Sequence, residues 1–192
     1  MNGGDPTDPR LSAFHAWIAE QSPTSGVHGV LAICEGVAAG TSKKTWIFPG
    51  RRERGIAILR GADPSRLAES RPYRVVPPGT SPSIRALEAV GVALAGEPAL
   101  VILGTGSTAY GEFHQAMHLA ASLRAPVTFV VTWYRGEGPF AAQMAGSPKS
   151  LAESLGIPTT TVDGTNAEAV RSAVAGIAGG TGLVQAELFG KT

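Results

Sequence analysis

Residues 99–131 read ALVILGTGSTAYGEFHQAMHLAASLRAPVTFVV. Ala99–Leu103 runs without a polar interruption, the pattern of a parallel strand buried on both faces. The turn Gly104-Thr105-Gly106-Ser107 breaks it. The segment from Gly111 to Leu123 then places Phe113, Ala116, Met117 and Ala120 on one helical face. Val127–Val131 is a second apolar run of the same kind. Strand, turn, helix and strand at this spacing make a parallel crossover unit, which enters a sheet right-handed.

Working outward, the same alternation continues. Ser83 is expected to cap a helix from Ile84 to Ala95, and Ser147 a helix through Leu155. Thr159–Val162 reads as a third strand. Asn166 caps a helix through Ile177, and Leu183–Leu188 is the last strand. The first half reads as helices and loops. Asp8-Pro9 precedes Leu11, Phe14, Trp17 and Ile18 on one helical face, and a second helix covers Val27 to Ala39 before Gly40. Thr45–Phe48 is a short strand ended by Pro49-Gly50. A helix from Arg51 to Leu59 stops at Gly61, and Asp63-Pro64-Ser65 starts another. The expectation is a single α/β domain, a parallel sheet with helices on both faces. Its helical first half spans about 9–70, a proline-rich loop about 70–82, and the parallel part about 83–192.

Composition narrows the function classes. The 192 residues are 43% hydrophobic and 16% charged, with a net charge of +1. That balance lacks the basic excess of a nucleic-acid-binding chain. The single cysteine, Cys34, allows no intrachain disulfide and no cysteine-based zinc site. No apolar run reaches a membrane-spanning length. Met1–Arg10 is polar and lacks the apolar core of a signal peptide, so the expected location is cytoplasmic, without membrane or nucleic-acid partners.

The glycine turn carries two functional readings. Gly104, Gly106 and Ala109 fit the G-x-G-x-x-A of a dinucleotide-binding turn. That motif needs an acid at the end of the next strand, and Val131-Thr132-Trp133 supplies none. The second reading is a resemblance. Gly104 to Val131 looks like the cofactor segment of the alpha subunit of thiamine-diphosphate-dependent 2-oxo acid dehydrogenases of the pyruvate and branched-chain type. Gly111, Phe113, His114, Ala116, Ala120, Ala121, Ala125, Pro126 and Val127 fall in register with it. Upstream, Trp46-Ile47-Phe48-Pro49, Arg52, Glu53, Gly55 and Leu59-Arg60-Gly61 also resemble a family segment, as does Gly36 to Gly40. Downstream, Gly156-Ile157-Pro158 and Val162-Asp163-Gly164 keep the family order.

The resemblance implies a thiamine-diphosphate-binding fold, the cofactors thiamine diphosphate and magnesium, and a beta-type partner chain or a homo-oligomer. It points to Gly104, Thr105, Gly106, Arg52, Tyr134 and the Gly136 carbonyl as cofactor-binding positions, and to the helices Ile84–Ala95 and Gly111–Leu123 as assembly contacts. It assigns no catalytic residue and no metal ligand, because the ligand positions have changed. Thr105 stands where the family has an aspartate, and Trp133-Tyr134 stands where it has two asparagines. The family's Tyr-Arg-x-His is Arg51-Arg52-Glu53-Arg54 here, a family histidine aligns near Ser25, and the C-terminal histidine loop falls beyond Thr192. The loop between Gly61 and Pro82 is shorter than the family's. The implied role is an alpha-type subunit impaired in cofactor binding, needing a partner chain and inactive alone. The alternative is a non-catalytic scaffold or regulatory subunit.

Three further groups have two readings each. Arg51, Arg52 and Arg54, near Lys43 and Lys44, read as a phosphate site or as an exposed helix start. His114 and His118, spaced i, i+4, read as zinc ligands or as part of a polar stripe with Gln115 and Ser122. Glu35, in an apolar helix, reads as a buried acid with a raised pKa or as a partly exposed helical residue.

Overall fold

The apolar runs assemble into one five-stranded sheet in which every pair is parallel. The strands are β1 (Trp46–Phe48), β2 (Ala99–Gly104), β3 (Val127–Arg135), β4 (Thr159–Asp163) and β5 (Gly182–Phe189), in the spatial order β1-β2-β3-β5-β4. The computed structural model describes residues 9–21, 27–77, 79, 81–135, 144–177 and 179–189.

The strand order dictates where the helices lie. From β1 to β2 to β3 to β4 the chain moves in one direction across the sheet. Right-handed crossovers therefore place α4 (Ile84–Leu94), α5 (Gly111–Leu123) and α6 (Pro148–Ser154) on one face. From β4 to β5 the chain steps back, so α7 (Ala167–Ile177) lies on the other face. There it joins α1 (Pro9–Gln21), α2 (Val27–Gly40) and α3 (Ile56–Leu59).

Two cores result. One holds Phe14, Ile33, Val37, Ile56, Ile58 and Val170 against Ile47, Leu100, Ile102, Val130 and Val184. The other holds Ala86, Ala89, Phe113, Ala116 and Met117 against Phe48, Val101, Leu103, Phe129 and Val131. Successive strand residues serve opposite cores, which is why the strands read as unbroken apolar runs. Within the second core Phe113 meets Phe129 edge to face, with centroids 6.3 Å apart. In the first, α2 and α7 lie in backbone contact: a methyl on Gly36 would meet the Ala167 carbonyl oxygen at 2.6 Å.

Several local expectations are corrected. Ser83 has helical backbone angles and caps nothing; its hydroxyl donates to Glu112 Oε2 on α5 at 3.3 Å instead. The helix expected from Arg51 is a 3₁₀ turn, Glu53–Gly55, leading into the short α3. The segment 70–82 is not all loop. It contains a 3₁₀ turn over Arg71–Tyr73 and a bridge between Val75 and Ile47. Buried Arg85 holds it down through the carbonyls of Val76 and Pro77. By contrast Ser147 caps α6 in a reciprocal capping box with Ser150, and Asn166 Oδ1 accepts from the Ala169 N–H. The side chain of Ile18 and residues 136–139 lie outside the described residues. Among the described residues no helix is long and apolar enough to cross a membrane.

Candidate functional site

Ligands of parallel sheets bind beyond the carboxyl ends of the strands. Here the chain leaving β1 enters α3 on one face, and the chain leaving β2 enters α5 on the other. The turns at the carboxyl ends of these neighbouring strands are Gly50–Glu53 and Gly104–Ala109.

The turn after β2 is a 3₁₀ segment, Thr105–Ala109, tied down at three points. Thr105 is 2% exposed. Its hydroxyl donates to the Thr132 carbonyl at 2.9 Å and accepts from the Tyr134 N–H at 3.0 Å. The Thr108 hydroxyl donates to the Thr105 carbonyl at 2.7 Å. His114 Nε2 lies 3.0 Å from the Thr108 carbonyl, so this nitrogen carries the proton. Gly104 is extended, with φ −83° and ψ 163°.

The turn after β1 is organised around an acid. Glu53 is 5% exposed, and burial pushes its carboxyl pKa above the ordinary value against the lesser opposing pulls of its own backbone and Arg52. Gly50 makes room for it, because a Cβ there would lie 2.3 Å from Glu53 Oε2 and 3.7 Å from the Ile102 carbonyl oxygen. The buried Cys34 thiol, its pKa raised chiefly by desolvation, faces the Glu53 carbonyl at 3.7 Å. Arg54 stacks its guanidinium 5.2 Å from the Trp17 ring centre.

Of the positions marked in the sequence, the fold brings Thr105 and Tyr134 together, through the Tyr134 backbone and not its side chain. The Tyr134 ring packs, half-buried, against the core under α1, α2 and α7. Gly104 and Gly106 begin the turn. Arg52 is exposed and, among the described residues, hydrogen-bonds to none of them. Gly136 lies outside the described residues. Glu35 is not buried; its Oε1 accepts from His15 Nε2 at 2.6 Å, with 29% of its side chain exposed. Glu53 takes the buried role instead, and Gly50 three residues before it was the available signal. His118 pairs with Ser122, and no cluster of three or more His, Cys, Asp or Glu among the described residues suits a metal ion.

A hard divalent cation prefers carboxylate, amide and carbonyl oxygens. Thr105 offers a neutral hydroxyl already engaged twice, Tyr134 offers a ring turned into a core, and Thr132 Oγ1 is buried with no partner among the described residues. This set does not fit a metal-bridged diphosphate.

The family model described as "Dehydrogenase E1 component" matches residues 78–178, from the proline-rich segment through α7. The 3-methyl-2-oxobutanoate dehydrogenase subunit alpha of Mycobacterium tuberculosis, in strains CDC 1551 / Oshkosh and ATCC 25618 / H37Rv, is 29% identical over 159 residues. The match covers 67% of this chain and 41% of each relative, so the chain spans well under half of their length. The matched region holds three of the five strands and the whole turn after β2, and the five-stranded parallel sheet accords with it. The chain belongs to the dehydrogenase E1 component family.

Proposed function

We infer that this chain serves as an alpha-type subunit of a 2-oxo acid dehydrogenase decarboxylating component, in company with a beta-type chain, and that it anchors thiamine diphosphate poorly. The family match and the name of the mycobacterial relatives support the first part. The observation that carries the second is the Thr105 hydroxyl, engaged by Thr132 and Tyr134 at the position where the resemblance expects a charged metal ligand. Thiamine diphosphate supplies the carbanion chemistry of this family when it is bound.

Electrostatics also weigh against a diphosphate. Such a group is strongly anionic, and Glu53, held toward its neutral form by burial, supplies no positive charge to offset it. Arg51 and Arg52 are the exposed cations of the β1 turn, and exposed guanidinium groups are screened by water. A non-catalytic scaffold or regulatory subunit is the second reading, favoured by the same Thr105 geometry. Both readings keep the fold and the partner and differ in chemistry.

Calorimetry with thiamine diphosphate and magnesium is the test, run on the chain alone and with a beta-type partner. The chain alone is expected to bind roughly a hundredfold more weakly than a family member with intact metal ligands, or not measurably. Losing a charged ligand costs several kcal/mol, and each 1.4 kcal/mol is about tenfold. Micromolar affinity of the chain alone would defeat this reading. Binding restored by the partner would select the catalytic subunit over the scaffold.

A further inference from the structure

We propose that Thr105 is a side-chain rung of the sheet, built where an ion would otherwise sit, so that the candidate site assembles without any divalent cation. The inference rests on the family reading above for the meaning of the position, but its geometry stands alone.

In a parallel pair, every second residue of a strand, opposite j, donates its N–H to the carbonyl of j−1 and accepts at its carbonyl from the N–H of j+1. Gly104 is in register with Thr132, so the next residue, Thr105, would face Trp133. Its rung would use the Thr132 carbonyl and the Tyr134 N–H. Those are the two groups that the Thr105 hydroxyl holds, at 2.9 and 3.0 Å. A hydroxyl donates one bond and accepts others, so one oxygen replaces both halves of a backbone rung. The Thr105 backbone is thereby free to turn into the 3₁₀ segment, and its own carbonyl accepts from Thr108.

This explains two further facts. β3 continues to Arg135 while β2 stops at Gly104, because the rung satisfies the edge that β2 abandons and β5 satisfies the other. Threonine, moreover, suits the position in a way that aspartate does not. A carboxylate accepts from the Tyr134 N–H but has no hydrogen for the Thr132 carbonyl, so it sets acceptor against acceptor unless a cation lies between them. Serine keeps the rung, and valine keeps the shape without it.

Hydrogen exchange of the Tyr134 amide reads the rung directly, with magnesium and with a chelator. In the wild type the rate is expected to be the same in both. Thr105→Val should accelerate it roughly 5- to 150-fold, the equivalent of the 1–3 kcal/mol cost of a buried group left unpaired. Thr105→Ser should stay near the wild-type rate. Thr105→Asp should exchange fast in the chelator and slow when magnesium separates its carboxylate from the Thr132 carbonyl. Unchanged exchange in Thr105→Val, slowing of the wild type by magnesium, or a Thr105→Asp rate that magnesium leaves unchanged would each overturn the proposal. The two readings fail separately. Tight thiamine diphosphate binding alongside a Thr105-dependent, magnesium-indifferent Tyr134 amide would remove the inferred weak anchoring and leave the rung. A Tyr134 amide indifferent to Thr105 would do the reverse.

Discussion

The turn after β1 and the turn after β2 follow neighbouring strands and are built by opposite means. The β2 turn is neutral, and its Thr105 hydroxyl is fully bonded. The β1 turn wraps an acid, Glu53, at 5% exposure. Their glycines differ in the same way. Gly104 is the conspicuous one, opening a pattern that suggests close approach to a phosphate, yet a Cβ there meets nothing within 4 Å. Gly50 sits in no such pattern, and a Cβ there collides with Glu53 Oε2 at 2.3 Å. A glycine's prominence in a motif and its steric necessity are thus separate properties. The first is inherited with the family's site, and the second is set by what this chain packs against it.

The sharpest way to break the comparison is Gly50→Ala. The new methyl must displace a buried carboxyl or the turn, and overpacking of this kind costs about 1–3 kcal/mol. Urea denaturation should show that loss, and most of it should vanish in a Glu53→Ala background, because contacting residues are not additive. A Gly50→Ala chain as stable as wild type would mean that Glu53 does not shape the turn.

A smaller and pH-dependent effect should come from Glu53→Gln. Burial raises the carboxyl pKa in the fold above its unfolded value. Below the ordinary carboxylate range both states hold the proton, and the native state has its full stability. As pH rises through the raised pKa, the unfolded chain has already released its proton and stability falls. The amide does not titrate. Glu53→Gln should therefore gain on the wild type between about pH 5 and about pH 8, as measured by denaturant midpoints. An equal difference at both pH values would show that the acid does not titrate as buried.

The smallest effect belongs to Gly104→Ala. Its backbone is already extended, and the added methyl has room. The substitution should stabilise the chain by about 0.4–1 kcal/mol, by restricting the unfolded state. Destabilisation by a similar amount in thermal melts would show that the β2 turn needs its glycine after all.

Much of the architecture was legible beforehand, for reasons visible in particular residues. Ala99–Leu103 and Val127–Val131 are apolar on both sides because both sheet faces are covered, and that signal is local. The Ser147 and Asn166 caps are also local, since a cap bonds within three residues of itself. Ser83 misled because its hydroxyl found a partner on α5, 29 residues away. β3 ran past its expected end because Trp133 and Tyr134, aromatic and compatible with a strand, gained ladder partners in Glu187 and Leu188.

Sequence alone determined the class of this protein: parallel strands in order, helices between them, and the family whose segment order it keeps. Periodicity, capping and motif spacing are properties of short stretches, so they survive without coordinates. Tertiary structure alone decided the chemistry at the two turns. Glu35 and Glu53 are the same residue type in helical surroundings, and only packing exposed the first to His15 and buried the second behind Gly50. Thr105 could be read from the sequence as a lost ligand. That its hydroxyl completes a rung between Thr132 and Tyr134 depends on the β2–β3 register, which is a relation between distant segments and is written in neither of them.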